Sequence, residues 1–451
     1  MAEILPESKH ISNLTNYEKS FEAFRNNGFK EDPTWLQTIR ISAMDRFLHL
    51  GFPSVRDEYW KYTNIAPIAE STFHFSSESA PVSYDEISKF CFERPDWPRI
   101  VFVNGIFSAQ LSSRRKQNGL IATNLREQIH SNPSFIEPYI GRYADFYRSP
   151  FTALNMAFAK DGAFVHLSEG MKCEDPIHLI FISTQTGNPL LVPIRNVIVV
   201  EKNAKVAVVE NYFSFGKTRY FNNVVSEIIL KENASLKHHR IQRESTNAFH
   251  VGVVQAHLEQ KSSFSSSSVA LGGQLVRNNI NAKLAGEAAA CSLFGLYMVS
   301  DTQHVDHHTL VDHPKPGGIS HQLYKGLVAG RATAVFSGKI LVREEAQKTD
   351  AHQTNKNLLL SKQATVNTKP QLEILADDVK CTHGAAVGQL EDEAIFYLKT
   401  RGIDPDEAAK LLSYGFASEV IDSIGISEVK EELNQIVLSR LNDPAYLGKR
   451  I

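Results

Sequence analysis

Glu201-Lys-Asn-Ala-Lys-Val206 is followed further on by Lys231-Glu-Asn-Ala-Ser-Leu236, and then by Glu259-Gln-Lys-Ser-Ser-Phe264. Each piece is a polar turn, a small residue and the start of a run in which apolar and polar residues alternate, the two-residue period of a strand. Related turns follow at Ala285-Gly-Glu-Ala-Ala-Ala290, Ala329-Gly-Arg-Ala-Thr-Ala334 and Ser361-Lys-Gln-Ala-Thr-Val366. The small residue serves as a marker: Ala204, Ala234, Ser262, Ala288, Ala332 and Ala364. Successive markers stand about 30 residues apart, a solenoid-sized period, with one longer step from Ala288 to Ala332. Repeats of that length are one coil of a solenoid, each burying its apolar face against the next. A small residue at a fixed place suits a crowded corner. The pattern predicts an all-β solenoid with two or three strands per coil, most simply a β-helix; the alternative is a large sandwich joined by ordinary turns.

Working outward, strand-like runs follow one another at 177–183, 195–200, 205–210, 224–230 and 249–258, and helical periodicity is scarce between about 175 and 380. The lack of crossover helices argues against an alternating strand–helix sheet. The flanks read as helical. Trp35 to Leu50 carries Leu36, Ile39, Ile41, Met44, Phe47 and Leu48 near a 3.6-residue stripe, ended by Gly51 and Pro53. After residue 390, Ala394, Ile395 and Leu398 form a stripe stopped by Gly402. Asp404-Pro405-Asp406-Glu407 is a helix start, and Ser427 opens a further helix with Val429, Leu433, Ile436 and Val437 on one face. The expected division is a helical segment at 1–95, a β-helix core at 96–388 and a helical segment at 389–451. About 60 terminal residues bury little alone, so this module is expected to dock on the solenoid end or on a partner.

The 451 residues exceed one ordinary domain, and 42% hydrophobic with 22% charged residues is the balance of a folded chain. Lys+Arg 48 against Asp+Glu 50 gives no electrostatic reason to expect nucleic acid or an anionic membrane. Met1 to Thr15 has no basic start and apolar core, and no apolar run approaches the roughly 18 residues of a bilayer span. The four cysteines, Cys91, Cys173, Cys291 and Cys381, are isolated, so a reducing, cytoplasmic setting is expected.

Three segments invite chemistry. Asp301 to His313 holds four histidines and three carboxylates; on a strand His304, Asp306 and His308 share one face and His307 the other. Such a face could hold iron or zinc, or it could be a structural or interface surface. Gly330 and Gly338-Lys339 imitate a phosphate-binding loop, but seven residues separate the glycines and Ile340 follows the lysine. That chemistry needs four residues and a Ser or Thr, so the chain is not expected to hydrolyse ATP itself. No G-x-S-x-G or H-E-x-x-H is present. In Asp377-Asp-Val-Lys-Cys-Thr-His-Gly-Ala385, Cys381 and His383 face the same side of an extended backbone. Thiolate and imidazole suit a transition metal, but two ligands do not hold a cluster. Remote residues or another chain must complete such a site; otherwise the pair is a buried thiol and a hydrogen-bonded imidazole.

From residue 35 onward the sequence resembles the SufB/SufD family of iron–sulfur scaffold proteins. The matching pieces are Gly51-Phe-Pro53, Glu58-Tyr-Trp-Lys-Tyr-Thr63, Leu271-Gly-Gly273, Arg277-Asn278, Gly286-Glu287, Gly295-Leu-Tyr297 and Ser320-His-Gln-Leu-Tyr-Lys-Gly326. Further on come Phe336-Ser-Gly-Lys-Ile340, Ala346 to Ala351, QTNKNLLLS from Gln353, Thr368 to Ile374, ADDVKCTHGA from Ala376, Phe396-Tyr-Leu398 and Arg401-Gly-Ile403. TKPQLEI followed by ADDVKCTHGA is similar to the SufD branch. The resemblance implies a right-handed parallel β-helix between helical ends, in a non-catalytic scaffold subunit pairing with SufB through the β-helix and with the ATPase SufC through the C-terminal helices. It implies a transient iron–sulfur cluster at the interface with SufB and no tightly bound cofactor, with flavin and a homodimer of the isolated chain left open. His383, with Cys381 less firmly, corresponds to the metal-handling position. Ser413 to Glu419, with Tyr414, Gly415 and Phe416, corresponds to the SufC contact. Two rival readings are a β-helix enzyme acting on polysaccharides and a structural scaffold with no metal ligation. The first would want a secretion signal and an aromatic groove, and neither is evident in the sequence.

Overall fold

The polar turns are corners. In the computed structural model a residue with left-handed backbone stands at one corner of each coil: Gly170, Asn203, Asn233, Lys261, Ala288, Gly317 and Lys348, with φ from 53° to 72°. Its N–H donates to a carbonyl of the next corner: Gly170 to Lys202, Asn203 to Glu232, Asn233 to Gln260, Lys261 to Glu287, Ala288 to Pro316, Gly317 to Gln347 and Lys348 to Asp378, at 2.7–3.1 Å. Between corners the chain is extended and winds into a parallel β-solenoid of about seven turns. The structure describes residues 8–27, 29–75, 81–92, 94, 96–113, 117–184, 187–443 and 446. Residues 1–7, where the N-terminal reading began, and residue 95, where the first expected boundary fell, lie outside that set.

Each coil has two strands rather than three. One sheet stacks from Ala163–Leu167 to Thr365–Ile374 and the other from Ile177–Ser183 to Lys380–Gly388, and successive strands alternate between them. Parallel register aligns Val208, His238, Ser266, Leu293, Gln322, Gln353 and His383 along one line. The coil step along that line is therefore about 30 residues at every turn, within the range of solenoid repeats. The long step in the sequence repeat is corrected accordingly: Ala288 precedes a strand of the second sheet and Ala332 one of the first. The corner that follows Ala288 in the series is Gly317-Gly318, which carries no small side chain to mark it.

Interior positions interlock. Gly295 lies beside Tyr324 and Tyr297 beside Gly326 in register. A β-carbon on Gly295 would come within 2.1 Å of the Tyr324 ring, and one on Gly326 within 2.0 Å of the Tyr297 ring. The tyrosines fill what the glycines leave, giving the close packing of a protein interior.

Helices cover both sheets. Ser8–Asn27, Thr34–Leu50 and the almost wholly buried Pro150–Phe158 pack with Phe47, Trp60 and Phe158 on the outer face of the first sheet, against Leu191, Val197, Phe221, Ile229, Phe249 and Leu275. Pro405–Ile421 and Ser427–Leu441 lie on the outer face of the second, where Val209, Ile241, Val269, Leu296, Met298 and Leu327 meet Ala417, Val420, Val429, Leu433 and Val437. The C-terminal module thus docks on the solenoid's flank and not its end, because those strands are apolar on the outward face as well. As the sequence indicated, Asp404 caps its helix, accepting from the Asp406 N–H at 2.8 Å. Leu125–Ser131, Pro133–Ile136 and Pro150–Phe158 are helices that interrupt the first strands. The starting end is hemmed by short antiparallel strands: Ile106–Phe107 on Arg99–Val103, and Leu120–Asn124 on Ala163–Leu167.

His178, His239, His307 and His313 are buried. Burial pushes their pKa values down, to about 3 for the first two and about 4 for the others. The folded values lie below the unfolded value near 6.5, so their stabilising effect is complete above that pH and is lost as pH falls toward 4. Each group adds a slope of up to about 1.4 kcal/mol per pH unit. Urea unfolding at pH 7, 6 and 5 should show steeply falling stability; a flat profile would contradict neutral burial of these rings.

Candidate functional site

The last coil has no successor. Thr365–Ile374 and Lys380–Gly388 end their sheets, each paired on one edge only. Lys380–Gly388 is exposed over nearly its whole length. A bare parallel edge presents a row of free N–H and C=O groups. The final strand sets Cys381 beside Ala351, His383 beside Gln353, Ala385 beside Asn355 and Val387 beside Asn357. These four neighbours are buried and alternate with more exposed residues, so Cys381, His383, Ala385 and Val387 continue the interior line of the solenoid out to its mouth. His383 is exposed because nothing stacks on it. Ile374, Leu375 and Val387 are exposed apolar groups on the same coil.

Cys381 shares the His383 side of the strand but sits deeper, against Ile340, Val342, Ala346 and Ala351. Burial, with a smaller contribution from the Asp350 carboxylate, pushes its thiol pKa up. The thiol form is favoured, which makes Cys381 a poor nucleophile until a metal displaces its proton. The structure thus brings an accessible imidazole and a half-buried thiol to one end, with no further Cys beside them in the coil.

His304, Asp306 and His308 do share an outward face, as the two-residue period required, and the opening segment of the chain lies over them. The Thr63 hydroxyl donates to Asp306 Oδ2 at 2.6 Å and lies 2.9 Å from His304 Nε2. With its one proton directed at Asp306, it accepts from His304. Arg277 Nη1 donates to the same carboxylate oxygen at 2.6 Å, and its guanidinium stacks 3.7 Å from the centre of the Trp60 ring. His308 Nε2 is 3.0 Å from Asp306 Oδ1. Burial would raise the Asp306 carboxyl, but Arg277 and His308 overcome it and hold it below the usual carboxylate range. Among the described residues no group of three or more His, Cys, Asp and Glu side chains has a metal-binding arrangement. As it stands, the cluster is a clasp fixing residues 60–63 to the later coils.

At the C-terminal helices, Phe416 faces the solenoid. Lys325, almost fully buried, donates to the Phe416 carbonyl at 3.0 Å, lies 4.4 Å from the centre of its ring and pairs with Glu419. Tyr414 is half-buried in the same apolar layer, and Gly415 is exposed. Phe396 and Tyr397, which the sequence reading quoted without giving them a role, and Leu411, which it passed over, are exposed, at 66%, 57% and 50%. Leu411 shares a helical stripe with Gly415 at the i, i+4 spacing that could have singled it out. Arg277 was also detectable, as the residue one coil before Asp306.

Comparison with known proteins gives two family models that tile most of the chain. The SufBD protein N-terminal region matches residues 11–179, and the SufBD core domain of the SUF system for FeS cluster assembly matches 181–416. An iron–sulfur cluster assembly SufBD family protein of Synechocystis is 34% identical over 98% of both chains. Iron-sulfur cluster assembly protein SufD of Escherichia coli is 30% identical over 99% of both. The chloroplastic protein ABCI7 of Arabidopsis thaliana is 31% identical over 88% of this chain and 84% of its own.

The clasp generates its own test. Asp306→Asn removes the carboxylate that faces the buried Arg277 guanidinium and should cost about 3–5 kcal/mol. Urea unfolding of the variant checks this, and a loss under about 1 kcal/mol would contradict a clasp built on that buried pair.

Proposed function

Because the chain belongs to the SufBD family of iron–sulfur cluster assembly proteins, we propose that it is the SufD-type, non-catalytic scaffold subunit of a cytoplasmic SufB–SufC–SufD complex. In this reading the solenoid, residues 96–388, pairs with SufB across the bare end of its last coil. The C-terminal module, 389–451, engages the ATPase SufC, and the helical segment 1–95 braces the stack.

The observation that carries the reading is the position of His383. It continues the interior line of the solenoid yet is accessible, on a strand whose outer edge has no partner. A second stack of similar pitch could pair with that edge and bring the missing ligands beside the imidazole. Iron and sulfide are cargo. His383 supplies a nitrogen ligand, and Cys381 supplies a sulfur ligand once metal displaces its proton. The partner's side chains complete the set of four that a cluster usually takes.

SufC drives the cycle by binding ATP and drawing the helical ends of the two scaffolds together, which rearranges the SufB–SufD junction. Such a shift requires ATP-bound SufC to prefer the rearranged state. Phe396, Tyr397 and Leu411 form the apolar surface that SufC covers, with Gly415 beside them. Phe416, through Lys325, and Tyr414, in the apolar layer, support that helix from behind.

Two experiments check this. His383→Ala replaces an exposed side chain and should change stability by less than about 0.5 kcal/mol. It should leave the complex intact and reduce iron and acid-labile sulfide on it at least tenfold. Full cluster build-up would overturn the assignment. Phe396→Asp with Leu411→Asp should abolish co-purification of SufC while SufB still binds; retained SufC would place its surface elsewhere.

A further inference from the structure

Halfway along the stack, three buried polar atoms without a hydrogen-bond partner stand close together. They are Arg240 Nη1, Asn278 Oδ1 and His250 Nε2. They lie around the place where a side chain on Gly252 would begin. A β-carbon there would be 2.7 Å from Arg240 Nη1 and 3.0 Å from each of the others. Arg240, His250 and Asn278 are at most 1% exposed. Gly252 is not one of the residues with positive φ, so glycine is needed here for space rather than for backbone freedom. A polar atom buried without a partner carries a desolvation cost, and a set gathered around one point marks a place for something able to bond them all.

The hydrogen-bonding role of each wall follows from its other partners. Glu244 is a carboxylate and only accepts. Gln242 Nε2 donates to Glu244 Oε2 at 3.3 Å, which turns the Gln242 oxygen toward Asn278. Asn278 Nδ2 donates to that oxygen at 2.6 Å, which turns Asn278 Oδ1 into the cradle as an acceptor. Arg240 gives Nε to Glu210 Oε2 at 3.0 Å and points Nη2 at Glu210 and Ser226. Its Nη1 remains, and a guanidinium only donates. His250 Nδ1 lies 2.8 Å from Glu244 Oε2, and the facing carboxylate favours a proton on that nitrogen. Nε2 is then an acceptor on a neutral ring or a donor on a charged one.

The walls therefore offer one fixed donor, one fixed acceptor and one atom that can be either. An anion would face the Asn278 carbonyl oxygen, and a cation would face the Arg240 guanidinium. Water suits both states of His250. With the ring neutral it accepts from Arg240 and donates to Asn278 and His250; with the ring charged it accepts from Arg240 and His250 and donates to Asn278. We propose that a single buried water is bound over Gly252, held by Arg240, Asn278 and His250. It joins two charged groups that are otherwise separate in the interior: Glu210 with Arg240, Ser226 and Tyr212, and Glu244 with His250, Gln242 and Asn222. A buried ion pair is tolerated only when its remaining donors and acceptors are satisfied, and the water satisfies the last N–H of Arg240. The result is one hydrogen-bonded network spanning strands of both sheets.

The test is a crystal structure of the unaltered chain, at a resolution that shows individual ordered waters, grown once in chloride and once in bromide. The expected result is one fully occupied water peak within hydrogen-bonding distance of all three atoms, about 3.2 Å or less, with no anomalous signal in bromide. An anomalous peak would assign a halide site and overturn the proposal, as would an empty cradle or walls that have closed on one another. A second arm is Gly252→Ala, whose methyl group occupies the cradle. The melting temperature should fall by several degrees, and crystals of the variant should lack the peak. A melting temperature unchanged within one degree would contradict a water that completes the network.

Discussion

The ladder of hydrogen bonds at the corners holds the architecture together. At every coil one residue turns into left-handed backbone and directs its N–H to a carbonyl of the next corner. Most of these residues, Asn203, Asn233, Lys261, Ala288 and Lys348, carry a β-carbon. Left-handed backbone at such a residue costs roughly 1 kcal/mol or more, least for asparagine. The stack tolerates that cost because each corner fixes the pitch between coils, and pitch fixes register. Register then decides which side chains meet. A slip of one residue would bring Tyr324 onto Leu296 rather than Gly295 and turn every interior side chain outward.

This explains how much could be read in advance. The coil repeat showed itself where corners are occupied by asparagine, lysine or alanine followed by a small residue. It slipped at Gly317, because there the conformation is the same but the residues differ. Conformation repeats more faithfully than composition in this chain. The interior tyrosines and glycines were visible as fragments, Gly295-Leu-Tyr297 and Tyr324-Lys-Gly326, but their reciprocal fit needs the coil step before it can be seen. The number of strands per coil was undecided in the sequence, since two long strands and three short ones bury similar patterns.

At the candidate site the alternation of a strand was enough to put Cys381 and His383 on one side. Whether that side would be sealed or open depended on where the stack stops, and that is decided by the helix starting at Asp392, outside the motif. The clasp on Asp306 was half legible. Arg277 is one coil step away, but Trp60 and Thr63 come from a segment far upstream, with no periodicity connecting them. The same holds for Phe416, whose aromatic ring reads as a surface anchor until Lys325 is found beneath it.

The two ends of the rod are unlike. The starting end is hemmed by short strands that run antiparallel to their neighbours, and a strand in that direction cannot seed another parallel coil. The far end is unfinished. In-register parallel stacks with two unfinished ends are the geometry from which fibrils grow. With only one growing tip among the described residues, joining tip to tip exhausts the supply. Under the proposed pairing, assembly through this edge stops at a pair, a rule written into strand direction rather than into any contact between the two partners.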